Sequence, residues 1–296
     1  MVNMTKKGSN VLNEFDWMVV ASYIVVTLFA AMCLLPFYYI IVVSFSNPRL
    51  INSSELIMWP HGLSLEAYRV TLSQKKFFTS FGVSVQRTVF GTALSLLVVS
   101  MLSYAISRKY LRGRKFFFIM ILFTMLFSGG MIPTYLVVRY TRIMNTIWAL
   151  IIPGLVNTFN VIVLTNFFAA IPDEIEESAR LDGANDIVIF LKLIVPISLP
   201  ALATITLFIA VAHWNSLMDG IIYINKTSLK PLQVYLTDIV MKSLMEDFFQ
   251  DSADRAIPPL TLQCATIFAS TIPILVVYPF LQRFFVKGVM VGAVKG

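Results

Sequence analysis

Long apolar runs, uninterrupted by any acid or base, dominate the chain. Six reach the length of a membrane crossing: Trp17–Asn47, Thr88–Ser107, Phe116–Val138, Ile143–Pro172, Leu193–Met218 and Ala256–Gln282. About 20 residues suffice, because roughly 30 Å of hydrocarbon is covered at about 1.5 Å per residue of helix. In hydrocarbon every backbone N–H and C=O needs a partner inside the segment, so each run is read as a helix. Barrel strands would alternate over about ten residues, and these runs do not. The pattern predicts an all-α integral membrane protein with six transmembrane helices. Its parts are a tail over 1–16, a first transmembrane helix over 17–47, and an external loop over 48–87 that holds the start of the second helix. A core over 88–284 and a tail over 285–296 complete it.

Composition removes the soluble alternatives. The 296 residues are 57% hydrophobic and only 13% charged, with a mean hydropathy of +0.78. A soluble domain carries about 25% charge. A soluble enzyme, a nucleic-acid-binding module and a disordered chain are excluded. The net charge of +7 lies between apolar runs rather than along one face, so no nucleic acid is implied. Cys33 and Cys264 both fall inside apolar stretches and form no ligand spacing. The run after Lys6 and Lys7 is too long for a cleaved signal and is read as a retained helix.

Charge also sets an orientation. The total of Lys and Arg is nearly balanced across the membrane, but the positive-inside rule concerns short loops near helix ends. The short link 108–115 holds Arg108, Lys109, Arg112, Arg114 and Lys115, which favours both termini inside. The short link bearing Arg139 and Arg142 counts against it.

Several spans carry helix breakers: Gly129, Gly130 and Pro133 in the third, Pro153 and Gly154 in the fourth, Pro196 and Pro200 opening the fifth, Pro273 and Pro279 in the sixth. They are read either as bends around a path that opens and closes or as ordinary membrane-helix usage. Asn157, Asn160 and Asn166 in the fourth span, and His213, Trp214 and Asn215 closing the fifth, have a similar pair of readings. Asn157 and Asn160 are an i, i+3 pair expected on one helix face. Such groups either line a path for a polar solute, with Trp214 stacking on it, or bond one helix to another. No span contains a buried acid, so a proton- or sodium-coupled relay has little to work with.

The link from Ile171 to Asn185 reads as a short helix. Pro172 suits a first helical position, Asp173, Glu174 and Glu176 complement the positive end of the dipole, and Gly183 permits a left-handed stop. Asp186 restarts the helix before span five. Six acids beside an anionic inner leaflet fit a protein-docking surface better than a lipid-binding one.

This segment, over 171–196, resembles the EAA loop of the transmembrane subunits of ABC importers: Glu-Ala-Ala, three residues, Gly, nine residues, then Ile-x-Leu-Pro. Here it reads Glu177-Ser178-Ala179, Gly183, then Leu193-Ile194-Val195-Pro196. It departs by Ser at the first alanine and by Leu and Val at the aliphatic positions. Ser103-Tyr104-Ala105-Ile106-Ser107-Arg108 and Leu181-Asp182-Gly183-Ala184 are similar to carbohydrate permeases. The tail Gly288–Gly296 is similar to the maltose-type second permease subunit. The tail and Phe127–Tyr135 look closest to a branch handling oligosaccharides released from polysaccharides.

The resemblance implies a type I ABC importer permease fold in a bacterial cytoplasmic membrane. It implies a second permease subunit, a cytoplasmic ATPase dimer that uses ATP and magnesium, an extracellular solute-binding protein and an oligosaccharide cargo. This chain has no phosphate-cradling Gly-x-x-x-x-Gly-Lys-[Ser/Thr] loop, and the resemblance implies no cofactor of its own. Glu176, Glu177, Ala179, Arg180, Leu181, Asp182, Gly183, Ala184 and Lys295 would couple to the ATPase. Glu177, Arg180 and Asp182 would pair with its charges. The segments at about 48–87 and 219–255 are expected as long structureless contacts for the binding protein. A membrane-embedded enzyme lacks a catalytic constellation around His61 or His213. A secondary transporter or channel would leave the acidic loop unexplained.

Overall fold

A computed structural model describes residues 17–51, 57–249 and 259–293; the N-terminal tail and Lys295 lie outside them. In order come α1 (Trp17–Ser44), α2 (Glu66–Ser73), α3 (Lys75–Ser107), α4 (Arg114–Leu126), α5 (Met131–Tyr140), α6 (Thr158–Ala169) and α7 (Asp173–Leu181). Then follow α8 (Asp186–Ile189), a π-helical turn at Phe190–Ile194, α9 (Val195–Ile197), α10 (Leu199–Asn215), α11 (Met218–Tyr223), α12 (Leu232–Phe249) and α13 (Pro259–Ala293).

Among the described residues two helices, α1 and α3, are long and apolar enough to cross a bilayer alone. Three bent helix pairs reach that length and apolarity when each is taken together. The chain turns by 112° between α4 and α5, by 54° between the 3₁₀ segment Ile147–Gly154 and α6, and by 86° between Asp186–Ile197 and α10. The breaks coincide with Gly129-Gly130, with Pro153-Gly154 and with Ser198 between Pro196 and Pro200. By contrast, α13 runs through Pro273 and Pro279 as one helix and holds the sixth position.

α3 begins at Lys75, more than three turns before the charge-free run at Thr88 and inside the 48–87 segment expected to hold the start of the second helix. The reason is a stripe that continues upstream. Ser80, Ser84, Arg87, Gly91, Ser95, Val99, Ser103 and Ser107 recur every three or four residues and are all buried. Small residues let neighbouring backbones approach in the absence of a hydrophobic drive between helices. Gly91 shows how close: a Cβ there would lie 2.7 Å from the His213 ring. The Ser103 hydroxyl donates to the Val161 carbonyl at 3.1 Å. So α3 is the axis of the bundle, with α6 and α10 against it, and the main core joins Val99, Tyr104, Leu164, Phe168, Ile189, Ile194 and Ile205.

The segments 48–87 and 219–255 are not structureless. They hold α2, the first turns of α3, most of α11 and α12. At the opposite extreme, α1 is bare. Its most apolar stretch has no buried residue; its last turns, with Tyr39, Ile40, Val42 and Val43, join a cluster with Ile51, Ile57 and Cys264.

Candidate functional site

The acidic helix α7 is built as its sequence dictates. Pro172 immediately precedes it, Asp173, Glu174 and Glu176 occupy its first turn, and Arg180 its last. Gly183 takes φ +84°. There the Gly183 N–H donates to the Arg180 carbonyl and the Ala184 N–H to the Ala179 carbonyl, each at 3.0 Å, a glycine-dependent stop. The Asn185 side chain then caps α8 by accepting from the Val188 N–H at 2.9 Å.

Three successive residues at the end of α3 strap this helix down. Arg108 Nη1 lies 2.7 Å from Glu176 Oε1, and both side chains are at least 95% buried. The same guanidinium donates through Nη2 to the Phe168 carbonyl at 2.8 Å and sits 4.9 Å over the Tyr104 ring. The Tyr104 hydroxyl approaches Glu176 Oε2 at 3.4 Å. Next, Lys109 pairs with Asp173 at 2.7 Å on the surface. Tyr110 then accepts from Arg180 at 2.7 Å, and Arg180 pairs with Asp186 at 2.5 Å. Burial pushes the Glu176 carboxyl above its ordinary range, only partly opposed by Arg108. The hydrogen bond and charge of Lys109 hold Asp173 below its own.

This geometry sorts the expected docking residues. Glu176 faces inward, and Arg180, expected to meet a partner's charges, is engaged within the chain. Ala179 and Ala184 pack against the core. The outward surface is Glu174, Glu177, Asp182 and Gly183 with Leu181, which is 90% exposed. The basic residues read only as an orientation signal are, in Arg108 and Lys109, the seat of the acidic helix.

A cavity of about 440 Å³ opens between α3, α6 and α10, with Arg87, Asn160, His213, Asp219, Phe159 and Phe208 in its wall. Asn157 also borders it but precedes the first turn of α6, where its side chain accepts from the Asn160 N–H at 3.3 Å. The two amides therefore do not share a helix face, because one is a cap. His213 lies buried against Gly91. Trp214 is buried among Phe77, Phe81 and Leu232, with the Phe81 ring edge-on at 6.0 Å, so it stacks on protein rather than on a solute. Asn215, exposed at the end of α10, does not line the cavity.

The charge in the wall was not anticipated. Arg87, assigned by sequence to the external loop, is 3% exposed and forks onto both carboxylate oxygens of Asp219. It also donates to the Ser216 carbonyl at 3.2 Å. Asp219 Oδ1 further accepts from the Ser216 hydroxyl at 2.7 Å and the Gly220 N–H at 2.8 Å. The signal available beforehand was the small-residue stripe running past Arg87.

No protein-family model matches the chain. Among curated proteins it is 45% identical over 271 residues to the polygalacturonan/rhamnogalacturonan transport system permease protein YtcP of Bacillus subtilis, covering 91% of this chain and 95% of that one. It is 40% identical over 267 residues to protein LplC of the same organism, covering 90% of each. A solved chain from a bacterial ABC transporter involved in the import of the acidic polysaccharide alginate superimposes with a TM-score of 0.84. That match has 33% identity over 90% of this chain and 96% of that one. With these relatives, its broken spans and its strapped acidic helix, the chain belongs to the membrane-spanning permease subunits of carbohydrate ABC importers.

Proposed function

We propose that this subunit forms one side of a path for oligosaccharides cut from acidic polysaccharides, paired with a second permease subunit in a bacterial cytoplasmic membrane. Both termini and α7 face the cytoplasm. A separate ATPase dimer, using ATP and magnesium, seats on α7, and an external solute-binding protein delivers the sugar to the opposite face. The chain performs no covalent chemistry itself. The observation that carries the reading is the two-sidedness of α7: Glu176 is locked inside while Glu177, Leu181 and Asp182 project outward. A leucine 90% exposed at the end of a polar helix suits insertion into a partner's cleft.

The 112° break supports the path. Residues 127–130 are non-helical and exposed, and irregular backbone at membrane depth is tolerated only inside protein or against a water-filled cavity. This supports the reading that the partner subunit or the aqueous path lies against this face. The cavity wall supplies Asn160 and His213 as sugar-bonding candidates. The substrate class rests on the names of the relatives, two of which concern acidic polysaccharides.

The test uses the purified complex. Glu177→Lys and Gly183→Leu should insert normally yet lose ATPase association, the second because a side chain at φ +84° costs about 1–2 kcal/mol and obstructs the outward face. A cysteine at Ser178 should resist an impermeant reagent in intact cells, while one at Ser228 should react. Mass spectrometry of sugar retained by the binding protein identifies the cargo. Full association in both variants, or labelling of Ser178 from outside, would overturn the docking reading.

A further inference from the structure

Arg108 joins three separate pieces of the chain. It ends α3, bonds the last turn of α6 through the Phe168 carbonyl, and holds α7 through Glu176. Phe168, Ile189 and Phe190, each at least 93% buried, share one core cluster with Tyr104, over whose ring Arg108 sits. Apolar contacts of this kind are non-directional and tolerate small sliding movements. A buried ion pair does not, because any slip strands a charge in apolar surroundings. The planar guanidinium adds a fixed bearing, since its donors lie in a rigid fork. The neighbouring straps, Lys109–Asp173 and Arg180–Asp186, are exposed and individually weak. Arg108 is therefore the stiff member of the three. From it α3 extends 33 residues, roughly 50 Å at about 1.5 Å per residue, packed on α6 and α10 and carrying Arg87 into the cavity wall.

We propose that Arg108 is a positioning residue whose buried pair with Glu176 makes α7, α3 and α6 move as one body, so that displacement of α7 reaches the sugar path without slack. The inference rests on the docking reading above and adds how the movement leaves the docked helix. Arg108 touches neither nucleotide nor sugar and acts through Glu176. Without the pair, α7 would slide over Phe190 and Ile189 while α3 stayed still.

The experiment uses the full complex in lipid nanodiscs with its binding protein and sugar. Glu176→Gln keeps the shape and removes the charge; Arg108→Lys keeps the charge and removes the fork. Spin labels at Ala105 on α3 and Ser178 on α7, both exposed, report the separation of the two helices. In the wild type that separation should be the same without nucleotide and with ATP bound. In both variants the ATPase should stay attached, the separation should differ between the two states, and the ratio of sugar-stimulated to basal hydrolysis should fall about tenfold. A wild-type separation that changes with nucleotide, or full stimulation in both variants, would refute the proposal. Loss of ATPase attachment in step with stimulation would also refute it, by showing a purely structural role. Unchanged stimulation in Glu177→Lys would sink the docking reading, and this proposal with it.

Discussion

The two buried arginines of α3 invite comparison, because one helix carries both and each meets a carboxylate from another part of the chain. At one end Arg108 meets Glu176, whose side chain is 5% exposed; its other near donor is the Tyr104 hydroxyl at 3.4 Å. In the middle of the helix Arg87 meets Asp219, whose side chain is 22% exposed and holds two donors of its own, from Ser216 and Gly220. The arginines are equally hidden, but the acids are not equally dependent on them. Glu176 owes its charged form to Arg108. Asp219 would remain solvated and hydrogen-bonded without Arg87. The first pair is a fixed joint, and the second can open beside the cavity at modest cost.

The largest effect that would separate them is Arg108→Met, which leaves a carboxylate unpaired among apolar side chains. It should cost about 3–5 kcal/mol, read as a fall in thermal unfolding temperature of the purified complex. Arg87→Met should cost less, about 1–3 kcal/mol, because Asp219 keeps its other donors. The reverse order would break the comparison.

Acidity sharpens it further. The pKa of Glu176 is raised above the ordinary 4.5, chiefly by burial. A raised acid binds its proton more tightly folded than unfolded, so its contribution to stability is greatest below pH 4.5 and declines as pH rises through the folded value. Lowering the pH should thus shrink the penalty of Arg108→Met, since Glu176 can take up a proton. Glu176→Gln should abolish the dependence. A penalty for Arg108→Met that holds steady as the pH falls would break this account of Glu176.

The smallest effect belongs to the exposed strap. Lys109→Ala should leave the unfolding temperature within error and raise the acid limb of Asp173, whose depressed pKa comes first from its hydrogen bond to Lys109. Because that pKa is lowered, the contribution is present above 3.8 and lost as pH falls. A chemical-shift titration of Asp173 checks the shift directly.

Much of this architecture was legible in the chain, and the illegible part has a common cause. Apolar runs located the spans, and the order of Pro172, the acids and Gly183 specified α7 almost to the residue. What failed was the rule that charge marks a boundary. Arg87 lies in the middle of α3 because Asp219, far away in sequence, neutralises it; no local pattern encodes that partner. Arg108 looked like an orientation signal for the same reason. Asn157 was misread because a cap and a helix-face residue have the same spacing to Asn160. Trp214 could be read as stacking on a solute or as a structural residue, and what decides is that its partners Phe77 and Leu232 come from other helices. Helix content follows from local composition, whereas the destination of a polar side chain depends on what folds against it.

The bareness of α1 carries a consequence for how the molecule is made. Among the described residues its buried contacts gather at its C-terminal end, against the first turns of α13 and against α2: Val43 beside Cys264 in one cluster, Phe45 6.0 Å from the Phe268 ring, and Tyr68 of α2 bonded to Ser44 at 2.7 Å. A ribosome delivers the first described helix early and the last described helix late. Until α13 emerges, the buried residues at the end of α1 lack Cys264 and Phe268. The bundle therefore closes by its most distant pairing, a slow kind of contact to form, and an interrupted chain would leave α1 open to association with a neighbouring copy during synthesis.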